Sequence, residues 1–178
     1  MEQSSLLEMA MYLLVIRHAA AMDKDEFART GRSDDERPLT QAGKKEMARV
    51  ARGLRALVPK LDSLAPSPLV RARETAAIIA RAYRMKVGAA TRSLEPDARP
   101  ASFARWLATH RKAATVAVVG HEPHLGALVT WLLAGVDEQR VELKKGGACL
   151  LRFDGKPRRA GAHMEWLLTP AHLRGKAR

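Results

Sequence analysis

The sequence predicts a single three-layer α/β/α domain built around a mostly parallel sheet. Two runs, Tyr12-Leu13-Leu14-Val15-Ile16 and Thr115-Val116-Ala117-Val118-Val119, are continuously apolar and rich in β-branched residues, the pattern of strands buried on both faces. Strand patterns alternate with helical periodicity along the chain, as in βα units. The length of 178 residues, with 47% hydrophobic and 28% charged residues, suits one globular domain with a core of its own.

Taken in order, residues 1–10 read as an extension ahead of the first strand, and Met9 or Met11 is a plausible start. Glu2 and Glu8 and the lack of a basic leading stretch argue against a secretory signal. After the first strand, residues 19–35 are polar and read as a loop. Thr40 then stands as N-cap of a helix running to about Val58, ahead of Pro59. Met47, Val50, Leu54 and Leu57 mark its buried face. Residues 61–65 form a short strand candidate. Ser67-Pro68 offers an N-cap and a first-turn proline to a helix reaching about Tyr83. Residues 87–94 are weakly strand-like, and 101–109 are helical. The strand at 115–119 precedes a helix at 123–133, with Pro123 fitting its first turn and Gly135 its terminator. Residues 148–153 and 164–168 read as closing strands around a basic turn at 155–159, and 170–178 as a basic, frayed tail.

Bulk chemistry narrows the classes of function. No apolar run approaches the ~20 residues of a membrane span, so no membrane partner is expected. A lone cysteine, Cys149, excludes an internal disulfide and fits a cytoplasmic setting. The net charge of +12 favours polyanions, yet the basic residues are dispersed and aromatics make up only 4%. A solvated basic surface accounts for this better than a nucleic-acid interface.

Ligands of open α/β sheets bind beyond the carboxyl ends of strands. The first strand ends in Arg17-His18, the second near Ser67 just before Arg71, and the late strand in Gly120-His121. Each residue alone reads better as a solvated strand end, a helix surface or a cap; their gathering at three strand ends argues for a site. Two arginines and two histidines suit a phosphoryl group. Guanidinium forks match phosphate oxygens, and neutral imidazole can attack phosphorus to give a covalent intermediate. Helix N-termini after Ser67 and His121 add backbone donors.

These residues sit in ordered blocks. Leu14-Val15-Ile16-Arg17-His18-Ala19, Arg37-Pro38-Leu39-Thr40 with Gly43, Ser67-Pro68-Leu69-Val70-Arg71-Ala72 with Thr75 and Ala76, and Val119-Gly120-His121 together resemble the signature of the histidine phosphatase, or phosphoglycerate mutase-like, superfamily. The span covered is about residues 11–168. The resemblance implies a phosphoglycerate mutase-like fold with His18 as phosphorylated nucleophile and Arg17, Arg71 and His121 as phosphoryl ligands. It implies that no metal or other cofactor is used. The short chain looks most like the bacterial phosphohistidine phosphatases. That points to a phosphorylated partner, such as a histidine phosphotransfer domain in signalling, or else a small phosphorylated substrate. The family usually has glycine after the nucleophile; here it is Ala19, which would be strained if φ were positive.

A phosphate ester needs its leaving oxygen protonated. The family often carries a carboxylate where Leu94-Glu95 falls, so Glu95 is the first candidate acid and Glu122 the second; a surface role for Glu95 beside Pro96 stands equally. Phosphohistidine is easier to cleave without an acid. His121-Glu122-Pro123-His124 does not have metalloprotease spacing, and His124 reads as pocket rim or helix surface. A small-ester phosphatase or mutase and a non-catalytic polyanion-binding module remain as alternatives.

Overall fold

A computed structural model of the chain describes residues 10–176. Strand β1 (Met11–Arg17) is followed by a short helix α1 (Lys24–Ala28), then by α2 (Gln41–Leu57), β2 (Ser63–Pro66) and α3 (Val70–Tyr83). Then come α4 (Pro100–Ala108), β3 (Thr115–Gly120), α5 (His124–Ala134), β4 (Ala148–Phe153), β5 (Ala162–Leu168) and α6 (Pro170–Gly175). Single 3-10 turns cover Asp34–Glu36 and Arg92–Leu94.

The sheet order is β2-β3-β1-β4-β5. β2, β3 and β1 run parallel, while β4 is antiparallel to both neighbours, so β5 points the same way as β1. The continuous apolar runs predicted this centre. Leu13, Leu14, Val15 and Ile16 are all fully buried because both faces of β1 are covered. Leu14 and Ile16 face a core shared with α2, α3 and α6; Leu13 and Val15 face one shared with α4 and α5. The domain is the α/β/α sandwich expected.

Local signals place α2 well. The Thr40 side chain accepts the Gly43 N–H, and Met47, Val50, Ala51 and Leu54 bury one stripe. α5 ends as expected at Gly135, whose φ of 72° gives it the left-handed geometry of a helix stop. Several expectations change. Residues 87–94 add no strand; the Gly88 and Thr91 amides reach the carbonyls of Leu64 and Pro66 at the edge of β2, without a continuing ladder. α3 begins at Val70, not at Pro68, and Ser67 does not cap it, because its hydroxyl is used elsewhere.

Of the expected frayed tail, residues 170–176 are ordered against the domain, and 177–178 lie outside the described residues. Thr169 caps α6, Arg174 pairs with Glu46 of α2, and Leu173 is fully buried, which stabilises by about 2 kcal/mol. Contact with α2 is made at Gly53, where a Cβ would lie 1.8 Å from the Leu173 carbonyl oxygen. The proposed extension at 1–10 lies almost wholly outside the described residues.

Candidate active site

Sheet register brings the strand ends together. Arg17 pairs with Gly120 across β1 and β3, so His18 and His121 are the next residues on adjacent strands. Their ring centroids are 5.1 Å apart. Pro66 pairs with Val119, which places Ser67 beside the same spot. The Ser67 hydroxyl lies 2.8 Å from His121 Nε2, the contact that takes it away from capping α3.

His18 is held from several sides. Its amide donates to the Gly120 carbonyl at 3.0 Å, and the Gly146 amide donates to the carbonyls of both Arg17 and His18. Gly146 has φ of 74°, a conformation that suits glycine in the turn leading to β4. The following amide, Ala19 N–H, donates to Thr75 Oγ1 at 3.1 Å, and Thr75 Oγ1 donates to the Arg71 carbonyl at 2.7 Å. One threonine thus ties the nucleophile loop to the helix bearing Arg71. Ala19 itself does not have positive φ, so alanine sits there without backbone strain. At Gly43 a Cβ would come within 2.2 Å of the Ala20 carbonyl, so glycine lets the start of α2 press against this loop.

His18 is only 6% exposed, and its Nδ1 lies 2.7 Å from the Ala19 carbonyl oxygen. A carbonyl can only accept, so Nδ1 carries the proton and Nε2 keeps its lone pair. Burial lowers the His18 pKa from 6.5 to about 4; the Ala19 bond opposes this, and the charges of Arg71, Arg17 and Arg37 reinforce it. Burial, with His18 and Arg71 nearby, lowers His121 to about 3. Both rings are neutral at pH 7.

The cavity against these rings has a volume of about 610 Å³. Its walls carry five cationic side chains, Arg17, Lys24, Arg37, Arg71 and Lys145, against three carboxylates, Asp23, Asp34 and Glu122, so an anion is favoured there. Arg17 Nη1 donates to the Leu143 carbonyl at 2.7 Å. Arg71 is 5% exposed and is met by Asp34 twice, Nη1 to the carbonyl at 2.8 Å and Nη2 to Oδ2 at 3.2 Å. Asp34 Oδ1 also accepts from Arg37 Nε at 2.7 Å. Burial works to raise the Asp34 carboxyl, but the Arg37 bond and the two arginine charges override it and hold the group below its ordinary range.

Arg17 Nε, Arg71 Nε and His121 Nδ1 are buried without a hydrogen-bond partner among the described residues; the two ring nitrogens of His124 share that condition. Leaving such groups unpaired costs about 1–3 kcal/mol each. Three of them belong to side chains on one cavity, the mark of a place where polar groups serve something other than stability.

The structure thus gathers Arg17, His18, Ser67, Arg71 and His121. Glu95 is not on the cavity wall; it lines an adjoining depression of about 410 Å³ that shares Pro96, and faces Arg92 at 3.9 Å. Glu122 does line the cavity, but its Oε1 accepts the Leu143 amide and its Oε2 the Gly126 amide and the Gln139 side chain. It holds the segment whose Leu143 carbonyl receives Arg17. His124 is buried at the start of α5 rather than on a rim. Among the described residues no group of three or more His, Cys, Asp or Glu is arranged to hold a metal ion.

Asp34 and Arg37 were not singled out from sequence. Arg37 lies in the quoted Arg-Pro-Leu-Thr block, but its loop position gave no strand end to point it inward. Asp34 stands in an acidic loop run, Asp34-Asp35-Glu36, that looks like solvated surface.

Residues 13–95 match the model of the histidine phosphatase superfamily (branch 1). An uncharacterized protein of Picosynechococcus sp. is 33% identical over 144 residues, covering 80% of this chain and 85% of its own. The chain belongs to the histidine phosphatase superfamily. Among solved structures, the protein histidine phosphatase SixA complexed with tungstate has a TM-score of 0.78 at 23% identity, covering 92% of this chain and 99% of that one. A putative phosphohistidine phosphatase SixA from Agrobacterium tumefaciens has a TM-score of 0.71 at 22% identity, covering 90% and 98%. These share the fold of this superfamily member. The family and the site together make phosphatase chemistry on a phosphorylated substrate its class of reaction.

Proposed function

We propose that the chain is a metal-independent phosphatase that works through phosphorylated His18 and removes phosphate from phosphohistidine on a signalling phosphotransfer protein. Neutral His18 attacks phosphorus through Nε2, in line with the bond that breaks. Arg17 and Arg71 balance charge on the equatorial oxygens, and His121, oriented by Ser67, donates a hydrogen bond to one of them. The leaving group takes the electron pair of the broken bond and a proton. Water then attacks the phosphohistidine, returning His18 and releasing inorganic phosphate.

One observation carries the choice of phosphohistidine over an ester: every carboxylate on the cavity wall is already engaged. Asp23 caps α1 through two amides, Asp34 bridges Arg37 and Arg71, and Glu122 accepts three N–H groups. An ester oxygen leaving as alkoxide needs an acid. An imidazole leaving group picks up its proton readily from solvent. The similar SixA structures, one of them a protein histidine phosphatase, support the same direction.

The test is phosphate release from a phosphohistidine-bearing phosphotransfer protein, wild type beside His18→Ala, with a sugar phosphate in parallel. Expected are release by wild type, loss of about a thousandfold or more in the variant, and slower turnover of the ester. Faster turnover of the ester would transfer the assignment to small phosphate esters. Full activity in His18→Ala would end the covalent mechanism.

A further inference from the structure

A second concavity lies apart from the active-site cavity. A groove of about 910 Å³ runs between α2 and α3, and its walls hold Lys44, Lys45, Arg52, Arg55, Arg81 and Arg84 with no carboxylate among them. Its floor is aliphatic: Ala48, Ala56, Ile78 and Ala82. Lys44 is spoken for by Glu74 at 2.7 Å, and Arg55 donates to the Ala82 carbonyl at 3.0 Å. Lys45, Arg52, Arg81 and Arg84 are exposed and have no ion-pair partner among the described residues. Four unneutralised cations around one groove repel one another, an arrangement that a ligand of opposite charge relieves.

We infer that this groove docks an acidic amphipathic helix on the phosphorylated partner protein. The chemistry of the walls selects the partner. An amphipathic helix sets an apolar stripe against a floor of small aliphatic side chains and its flanking carboxylates against the two rims. Nucleic acid would leave the aliphatic floor unused, and no aromatic side chain lines the groove to stack a base. The dimensions agree: Lys44 to Arg55 spans about 16 Å along α2, three turns of a bound helix.

Position joins the groove to catalysis. α2 and α3 both begin at the catalytic end of the sheet: Gly43 abuts Ala20, and Arg71 in the first turn of α3 reaches the cavity. The Glu74 carboxylate that pairs with Lys44 also accepts the Leu39 amide in the loop leading from the site. The groove runs from Lys44 and Lys45 near the start of α2, at the catalytic end, to Arg55 and Arg84 at the far ends of α2 and α3, so a partner helix docked along it leaves a separate phosphorylated segment, beyond the Lys44 end, to enter the cavity. The groove also takes up a concentrated part of the +12 charge that the catalytic reading leaves without a role.

This docking role rests on the phosphoprotein reading above, so two measurements are paired. The first compares Lys45→Glu/Arg52→Glu/Arg81→Glu with wild type on a phosphohistidine-bearing phosphotransfer protein and on free phosphohistidine. Expected is a KM for the protein raised about tenfold or more, the joint effect of several rim charges, with kcat and free-phosphohistidine turnover unchanged. The matching triple alanine variant should fall between. Unchanged KM for the protein, or equal loss on both substrates with native thermal stability, overturns the inference. The second measurement titrates wild type and the charge-reversed variant with a synthetic acidic amphipathic helix of about 16 residues, ~24 Å long, and with single-stranded RNA. Salt-sensitive binding of the peptide to wild type only supports the groove even if no phosphoprotein is turned over. Binding of RNA in preference to the peptide overturns it.

Discussion

Acidification from about pH 7.5 to about pH 5 should destabilise this domain through two particular rings. His18 and His121 are buried and neutral, with pKa values lowered from 6.5 to about 4 and about 3. In the unfolded chain both titrate near 6.5, so as the pH falls below that value the unfolded state takes up protons that the folded state refuses. A depressed histidine pKa therefore gives stability that is whole above about pH 6.5 and is lost on the way down, levelling off only near the folded values. Each proton is worth about 1.4 kcal/mol per pH unit. At pH 5 this makes about 2 kcal/mol for each ring and about 4 kcal/mol for the pair. Their mutual influence does not enter while both stay neutral in the fold. Domains of this size have about 5–15 kcal/mol in total, so the loss is large. Urea unfolding at both pH values, on wild type and on His18→Gln/His121→Gln, isolates the effect, because the carboxylates and His124 act in both proteins. Wild type should lose about 4 kcal/mol more than the variant over this interval. Equal losses would refute neutrality of the two rings, and with it the nucleophile assigned to His18.

Further outcomes follow from the contacts around the site. Ser67→Ala removes the partner of His121 Nε2 and should lower kcat/KM about tenfold, the worth of one oriented hydrogen bond, with little change in Tm; steady-state kinetics beside a thermal melt checks this. Ala19→Gly should change kcat/KM less than about twofold, because alanine there has ordinary backbone geometry and needs no relief. Gly53→Ala should force α6 away from α2 and cost about 2 kcal/mol, read as a lowered Tm together with faster proteolysis after Leu168.

The central strands, α2 and the gathering of Arg17, His18, Arg71 and His121 were legible because their signals are local. An apolar run, a capping threonine or a charged pair at a strand end is written within a few residues. Ser67 shows where that reading stops. From its neighbours it looks like a helix cap, but a histidine 54 residues away claims its hydroxyl. Glu122 is similar: acidic and next to His121, it has the look of a proton donor, and only the folded segment around Leu143 reveals it as a clamp. Thr75 belongs to a quoted block but nothing in its neighbours gives its role, and Gly146 carries no local signal, since what makes them matter is which backbone they touch. Leu173 misled for another reason. Its basic neighbours suggest a solvated end, whereas one leucine opposite one glycine is enough to seat a helix.

The nucleophile has a single approach. With the Nδ1 edge of the imidazole committed to the Ala19 carbonyl and the residue 6% exposed, Nε2 is approached through the cavity that His18 lines. Donor and acceptor must therefore share one doorway and use it in turn: the first product has to vacate before a second molecule can reach phosphorus. The timing of the cycle then depends on traffic as much as on bond making. Whatever next enters that doorway decides the fate of the phosphoryl group, and a small alcohol present at high concentration would compete with water and leave as a phosphate ester. The rim of lysines and carboxylates keeps the passage wet, which biases that competition toward hydrolysis.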